Sequence, residues 1–298
     1  MKPKSLKEKK NFLGIPSKYS LYEKSEIVVL SAPLEMTVSY GKGTELGPKE
    51  ILEASHYVEF YDEETEREIC FEKGICTLGE LDFKNKSHKK SLELIEKTVS
   101  RLIHDKKFVV TLGGEHSLSS APACAHNSAY QDLSVLQIDA HSDLRDSYEG
   151  SKLSHASVMK RIYEFNKDIV QVGIRAQCAE EADFIKKNNI KTFFARNIRT
   201  GKHGNNWQSE VVDSLNKNVY ITFDVDGFDP SILPSTGTPE PGGLFWDETM
   251  DLLKLVGSER NIVGFDVVEL SYDKQNKISS FNTAKLVYKL INYAFSKK

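Results

Sequence analysis

Eight short runs of β-branched and aliphatic residues recur along this chain, with helix-period stretches between most of them, and few folds accommodate that alternation. The runs cover residues 26–31, 75–78, 108–112, 134–138, 169–173, 191–195, 219–223 and 262–268. Amphipathic stretches fall at 91–104, 156–165, 179–188, 208–216 and 247–255, and a last one at 285–295. Strands separated by crossovers of this length pair parallel, because parallel neighbours need a dozen or more residues to return the chain. An open three-layer sheet and a closed eight-stranded barrel both satisfy the count, and periodicity does not choose between them. In both, chemistry collects where strands end and loops begin. No Ser/Gly-rich linker, charge block or internal repeat divides the 298 residues. The expectation is one α/β domain over 1–298, with residues 1–20 as an N-terminal arm.

Composition narrows the class by exclusion. No apolar run approaches the roughly 20 residues of a membrane span. The basic opening Met1–Lys10 is not followed by an apolar stretch, so it reads as a solvated arm and not as a secretory signal. A net charge of −3 gives no long-range pull towards nucleic acid or acidic lipid. Cys70, Cys76, Cys124 and Cys178 show neither C-x-x-C pairing nor zinc-like spacing, which points to reduced thiols in a cytoplasmic protein.

The unusual residues stand at three strand ends. Gly113-Gly114-Glu115-His116-Ser117 follows Phe108–Leu112, Asp139-Ala140-His141-Ser142-Asp143 follows Val135–Ile138, and Asp224-Val225-Asp226 follows Val219–Phe223. Alternation in a strand puts residues two apart on the same face, so Asp139, His141 and Asp143 can point one way while Ala140 and Ser142 point the other, and Asp224 pairs likewise with Asp226. Carboxylates at the ends of apolar strands lose hydration unless something neutralises them. Four aspartates with His116 and His141 could hold two divalent cations, some carboxylates bridging. An oxygen-rich set with a little imidazole suits hard or borderline metals such as Mn²⁺. Taken singly, D-x-D and G-G-x-H also cap turns and helices; three such clusters together are harder to explain that way.

At these residues the sequence resembles the ureohydrolase family, which includes arginase and agmatinase. The resemblance spans about Pro33 to Glu269 and extends through Phe223–Pro230 and Gly237–Leu244. It implies a three-layer α/β/α sandwich with a mainly parallel eight-stranded sheet, and two Mn²⁺ per chain. It assigns His116 and Asp143 to one ion, His141 and Asp226 to the other, and Asp139 and Asp224 to both. His155 resembles the family's proton-shuttling histidine, and Glu269 the carboxylate that holds the guanidinium. Ser39–Pro48 resembles the family's N-terminal loop near the pocket. Two departures stand out: Leu270-Ser271-Tyr272-Asp273 follows Glu269 without the usual proline, and Phe245 replaces a frequent threonine after Gly242-Gly243-Leu244.

A guanidinium carbon is a poor electrophile, so neutral water will not attack it usefully; two metals sharing a water lower its pKa towards neutrality. Asp143, His155 and Glu269 are the expected catalytic side chains. Residues 144–155 contain no asparagine of the kind arginases use for the α-amino-acid head, so the resemblance favours agmatine as substrate and putrescine as product. Arginine, guanidinobutyrate and aminopropylagmatine remain alternatives. The loop expected to meet the substrate's far end offers Asp146 and Glu149, one of which could favour a lone ammonium; the alternative is that both acids are solvated, with Arg145 or Lys152 neutralising them. The expected partners are a small guanidino substrate and further copies of the chain in a trimer or hexamer, with no nucleic acid and no membrane. The reading of another class is a metal-bound scaffold without turnover.

Overall fold

A computed structural model gives the fold and describes residues 4–204 and 206–296. The eight apolar runs become eight strands: β1 Ile27–Ala32, β2 Ile75–Thr77, β3 Phe108–Gly113, β4 Leu133–Ile138, β5 Ile169–Ile174, β6 Lys191–Phe194, β7 Asn218–Asp224 and β8 Asn261–Val268. All pair parallel in one open sheet, ordered β2-β1-β3-β8-β7-β4-β5-β6, so the barrel is excluded. β1, β4 and β5 are buried along their whole length, as expected of parallel strands covered on both faces.

Alternation along the strands divides the core. Ile27, Val29, Val110 and Leu112 face one way, against Leu252, Leu253, Leu286 and Leu290 of the helices Trp246–Glu259 and Ile278–Ala294. Val28, Leu30 and Val109 face the other, against Ile95 and Val99 of His88–His104. Val135 and Tyr220 continue that face against Met159 and Ile162 of Val158–Phe165. The sandwich therefore has three layers. Burying each such side chain contributes about 1.5–3 kcal/mol, which sets the strand register firmly.

Two expectations change. The helices expected to begin at 91 and 285 begin at His88 and Ile278, because Ser87 caps the first and the second enters through a polar turn that hides its periodicity. The arm is solvated only in part: Lys7–Lys10 is exposed, but Phe12, Leu13 and Ile15 are buried against the core. Residues 1–3 of the arm lie outside the described residues.

Register aligns the strand ends that matter. Leu112 pairs with Val267, Val267 with Phe223, and Phe223 with Ile138, forming one row across the four central strands β3, β8, β7 and β4. Whatever follows this row gathers at the carboxyl edge of the sheet, where α/β folds place their sites.

Candidate metal centre and cavity

Each central strand delivers its residues through a different local device. After β3 the chain passes Gly114, where a Cβ would stand 2.1 Å from the carbonyl oxygen of Leu34, and then starts the short helical turn His116–Ser119. β4 ends one residue before Asp139. Asp224 closes β7, and its Oδ1 accepts the amide of Asp226 at 2.9 Å, capping the turn Val225–Gly227. Asp143, at φ 52°, and Glu269, at φ 65°, both sit in the left-handed region. A non-glycine residue there costs of order 1 kcal/mol, and such strain concentrates at functional sites. It is held in place: the amide of Glu269 donates to Gly114 O at 2.8 Å, and Asp143 O accepts from Met159 N at 3.0 Å and Lys160 N at 3.2 Å. Strand alternation is therefore not what aligns these residues. Turns bring them together, since β4 has ended before Asp139.

His116 Nδ1 lies 3.0 Å from Asp143 Oδ2, 3.1 Å from Asp139 Oδ2 and 3.4 Å from Asp224 Oδ2. His141 Nδ1 lies 3.0 Å from Asp226 Oδ2 and 3.7 Å from Asp139 Oδ1. Two groups of ligand-type atoms result, His116–Asp139–Asp224 and Asp139–His141–Asp226, with the atoms of each group within 4.8 Å of one another. Asp139 belongs to both, one oxygen turned to each histidine. All four aspartates are buried.

The other side of His116 shows what its inward nitrogen can bind. Its Nε2 lies 2.9 Å from Thr222 Oγ1, and that hydroxyl donates to Asp266 Oδ1 at 2.8 Å. A hydroxyl whose hydrogen goes to a carboxylate can only accept from the ring, so Nε2 carries the hydrogen and Nδ1 is a bare lone pair. That lone pair is buried, has no hydrogen-bond partner, and faces three carboxylates. Only a positive charge relieves the arrangement: a proton or a metal ion.

The electrostatics of the ionisable side chains point the same way. Burial would lower both histidines, but Asp139 and Asp143 hold His116 well above its usual range, and Asp226 with Asp139 pushes His141 up to about 12. Burial and the charge of Asp139 raise Asp143 to about 6; burial, Asp226 and Asp139 raise Asp224 well above the carboxylate range. Burial also favours a protonated Asp139, yet its bonds to His116 and His141 hold it below that range. Protons can settle single atoms only. Two divalent cations would balance the four aspartates (2 × +2 against 4 × −1), and the donor set suits Mn²⁺.

A cavity of about 280 Å³ opens above the centre. His116, His141, Asp143, Asp224, Asp226, His155 and Glu269 line it, while Asp139 lies beneath, fully buried. Glu269 is buried and accepts the amide of His116 at 2.6 Å; burial and the charge of Glu115 push it up to about 8. Val38–Gly41 of the N-terminal loop form one wall, and His155 stands edge-on to Tyr148 in another, with ring centroids 5.8 Å apart. All eight residues singled out in the sequence therefore meet at one place. Asp146 and Glu149 do not join them: both are exposed and off the cavity wall, and Asp146 pairs with Arg161 at 3.1 Å and Lys152 at 3.2 Å. The further glutamates on the cavity wall are Glu181, buried and tied to the amides of Leu144 and Cys178, and Glu240. Phe245 and the segment Leu270–Asp273 do not line the cavity.

Several supporting residues escaped the sequence reading. Gln137 Nε2 donates to Asp139 Oδ2 at 2.7 Å and is itself held by Gln171 at 2.6 Å. Asp266 gathers Thr222, Ser119 and Tyr220 beneath His116. Arg175 donates to the carbonyls of Asp226, Gly227, Phe228 and Glu240, clamping one cavity wall. A signal was present: Gln137, Gln171, Thr222 and Asp266 are polar residues inside apolar strands, which is costly unless each is bonded.

Comparison with known proteins gives consistent matches. The model of the arginase family matches residues 25–292. An N(1)-aminopropylagmatine ureohydrolase of Synechocystis sp. is 39% identical over 278 residues, covering 91% of this chain and 90% of the relative. An agmatinase of Bacillus anthracis is 34% identical over 262 residues, covering 86% and 88%. The crystal structure of agmatine ureohydrolase of Thermoplasma volcanium superposes with a TM-score of 0.83 at 28% identity, covering 99% of this chain and 96% of that one.

Proposed function

The chain belongs to the arginase family, and from that premise we propose that it is a two-manganese hydrolase that splits a guanidino compound into urea and an amine, agmatine being the reference substrate. One observation carries the reading: two His/Asp groups that share Asp139 lie at the floor of a cavity that also presents Glu269 and His155. His116, Asp139, Asp143 and Asp224 would hold one cation, and His141, Asp139, Asp224 and Asp226 the other. When bound, the two ions would lower the pKa of a shared water towards neutrality.

The protein's own groups supply the rest. Glu269 is a buried acid short of a counter-cation, and a planar guanidinium offers it two parallel N–H donors. Asp143 lines the cavity beside His116 and can accept a hydrogen bond from the attacking water. The leaving amine must depart protonated, and His155 is the ring on the cavity wall that can deliver the proton. Thr222 and Asp266 keep His116 in the tautomer whose lone pair faces the centre.

Amine-terminated substrates suit this cavity, since Glu240 on its wall could meet an ammonium. Arginine would bring a carboxylate against it. The higher identity to the Synechocystis enzyme supports a second reading, N(1)-aminopropylagmatine, in which a longer polyamine tail reaches the open mouth. A urea assay with Mn²⁺ across agmatine, N(1)-aminopropylagmatine, arginine and guanidinobutyrate decides. One of the first two should have the highest kcat/KM, and no urea from any of the four would overturn the proposal. Assembly as a trimer or hexamer in the cytoplasm belongs to the same reading, and sedimentation velocity tests the assembly.

A further inference from the structure

We propose that Thr37, steered by Glu115, is a positioning residue that holds His155 in the tautomer with its hydrogen on Nδ1, leaving Nε2 free for proton transfer. The inference rests on the proton-delivery role of His155 put forward above. It comes from a count of donors and acceptors around one hydroxyl.

Glu115 is fully buried one residue before His116, yet it is turned away from the Asp/His groups, towards the loop after β1. Its Oε2 accepts the amides of Met36 at 2.7 Å and Thr37 at 2.5 Å, and its Oε1 accepts Ser117 Oγ at 2.5 Å and Thr37 Oγ1 at 2.9 Å. Four donors converge on this carboxylate, and it has none to return. The single hydrogen of the Thr37 hydroxyl is therefore spent on Glu115, and its lone pairs are what remain. Two groups of His155 face them: the backbone amide, at 3.1 Å, and ring Nδ1, at 3.3 Å. The amide is a donor without choice. For Nδ1 to bond the same oxygen it must donate as well, so Nδ1 carries the hydrogen and the neutral ring keeps its lone pair on Nε2. Ser154 Oγ, at 3.5 Å, is the more distant competitor for Nδ1. Tyr148 meets the ring edge-on and adds no acceptor for Nδ1. One threonine thus fixes both the placement of the 155 backbone and the protonation pattern of its ring. A ring in the other tautomer would hold its hydrogen on Nε2 and could not take up a proton there.

Thr37→Val keeps the shape and the amide bond to Glu115 while removing the hydroxyl; Thr37→Ser keeps the hydroxyl. Histidine ring nitrogens are read by ¹⁵N NMR with Mg²⁺ or Zn²⁺ in place of paramagnetic Mn²⁺, the His155 signals being assigned by their loss in His155→Ala. Wild type and Thr37→Ser should show a protonated Nδ1 in the neutral ring, and Thr37→Val should shift the population towards Nε2–H. In the urea assay Thr37→Val should lower kcat roughly ten-fold with KM and metal content unchanged, and Thr37→Ser should restore it. In a His155→Ala background Thr37→Val should cost nothing further. An Nε2–H ring in wild type, an unchanged spectrum in Thr37→Val, or a kcat loss that multiplies with His155→Ala would overturn the proposal. Absence of guanidino hydrolysis in wild type would remove the enzymatic reading instead, and the spectra would still decide what Thr37 does.

Discussion

Two charge clusters in this molecule, one part-buried around a Lys289–Asp62 pair and one buried at the sheet edge, are balanced in opposite ways. On the helix Ile278–Ala294, Lys289 is 2% exposed and its Nζ lies 2.7 Å from the buried Asp62, 2.8 Å from Glu64 and 3.1 Å from the exposed Glu63. Lys254 pairs with Glu64 and Lys285 with Glu63, so three acids meet three lysines. At the carboxyl edge of the sheet, four aspartates and Glu269 meet two imidazoles, and among the described residues no lysine or arginine forms an ion pair with them. Taking ions out of water costs several kcal/mol each, and that cost is offset only by close opposite charge. The first cluster carries its own counter-charge and reads as structure. The second carries an excess of acids over bases that bound cations would balance, which marks it as a site.

The contrast can be broken at either cluster, and the largest effect is expected at the sheet edge. Chelating the metal, or replacing Asp143 by Ala, should abolish urea release, with a loss of roughly 10³-fold or more. Elemental analysis should give about two Mn²⁺ per wild-type chain, fewer in the variant. A folded, Mn²⁺-loaded protein holding one ion or none would sink the two-metal reading. His155→Ala should retain both ions while kcat falls by roughly 10²–10⁴, since it removes a proton carrier and no ligand; unchanged turnover at neutral pH would refute that role.

At the balanced cluster the expected loss is of stability and not of rate. Lys289→Met strands the fully buried Asp62 and should cost about 3–5 kcal/mol in denaturant unfolding, with kcat per folded molecule intact. Its pH signature follows from Glu64. Burial raises this acid, but bonds from Lys289, Tyr293 and Lys254 bring it down from 4.5 to about 2. A depressed folded pKa stabilises above the unfolded value, so this contribution is complete above pH 4.5 and fades as pH falls towards 2. In Lys289→Met the acid-dependent component should shrink, and an unchanged urea midpoint across that range would place the cluster's worth near zero. The smallest effect belongs to the support of the centre. Thr222→Val frees His116 to take either tautomer and should weaken Mn²⁺ binding by roughly 10–100-fold in a competitive titration.

The two clusters also differ in how visible they are in the sequence. Asp139, His141, Asp143, Asp224 and Asp226 follow directly on apolar runs, where anions are conspicuous, and all of them reach one centre. The Lys289 network was invisible, because its lysine lies inside a helix whose start was obscured and its acids lie in a polar loop. Even at the centre, the residues converge for a reason other than the one their spacing suggests. Alternation was expected to align Asp139, His141 and Asp143, but β4 ends first and a left-handed Asp143 turns the chain instead. For Asp146 and Glu149 the sequence left a wall position and a solvated one both open, and the structure takes the solvated one, with Lys152 paired to Asp146.

What the sequence determined by itself was the class of fold, the boundaries of most strands and the list of ligand-type residues. These are short-range properties: period, apolar run length and the placement of a charge beside a strand depend on neighbours a few residues away. What only the tertiary structure decided was the strand order that brings β3, β8, β7 and β4 together, the hydroxyl of Thr222 behind His116, and the link from Glu115 through Thr37 to His155. Thr37 lies 78 residues from Glu115 and 118 from His155, and Thr222 lies 106 from His116. No local pattern encodes such partners, because a hydrogen bond is chosen by which crossovers pack against the sheet, and that choice is made by burial summed over the whole core.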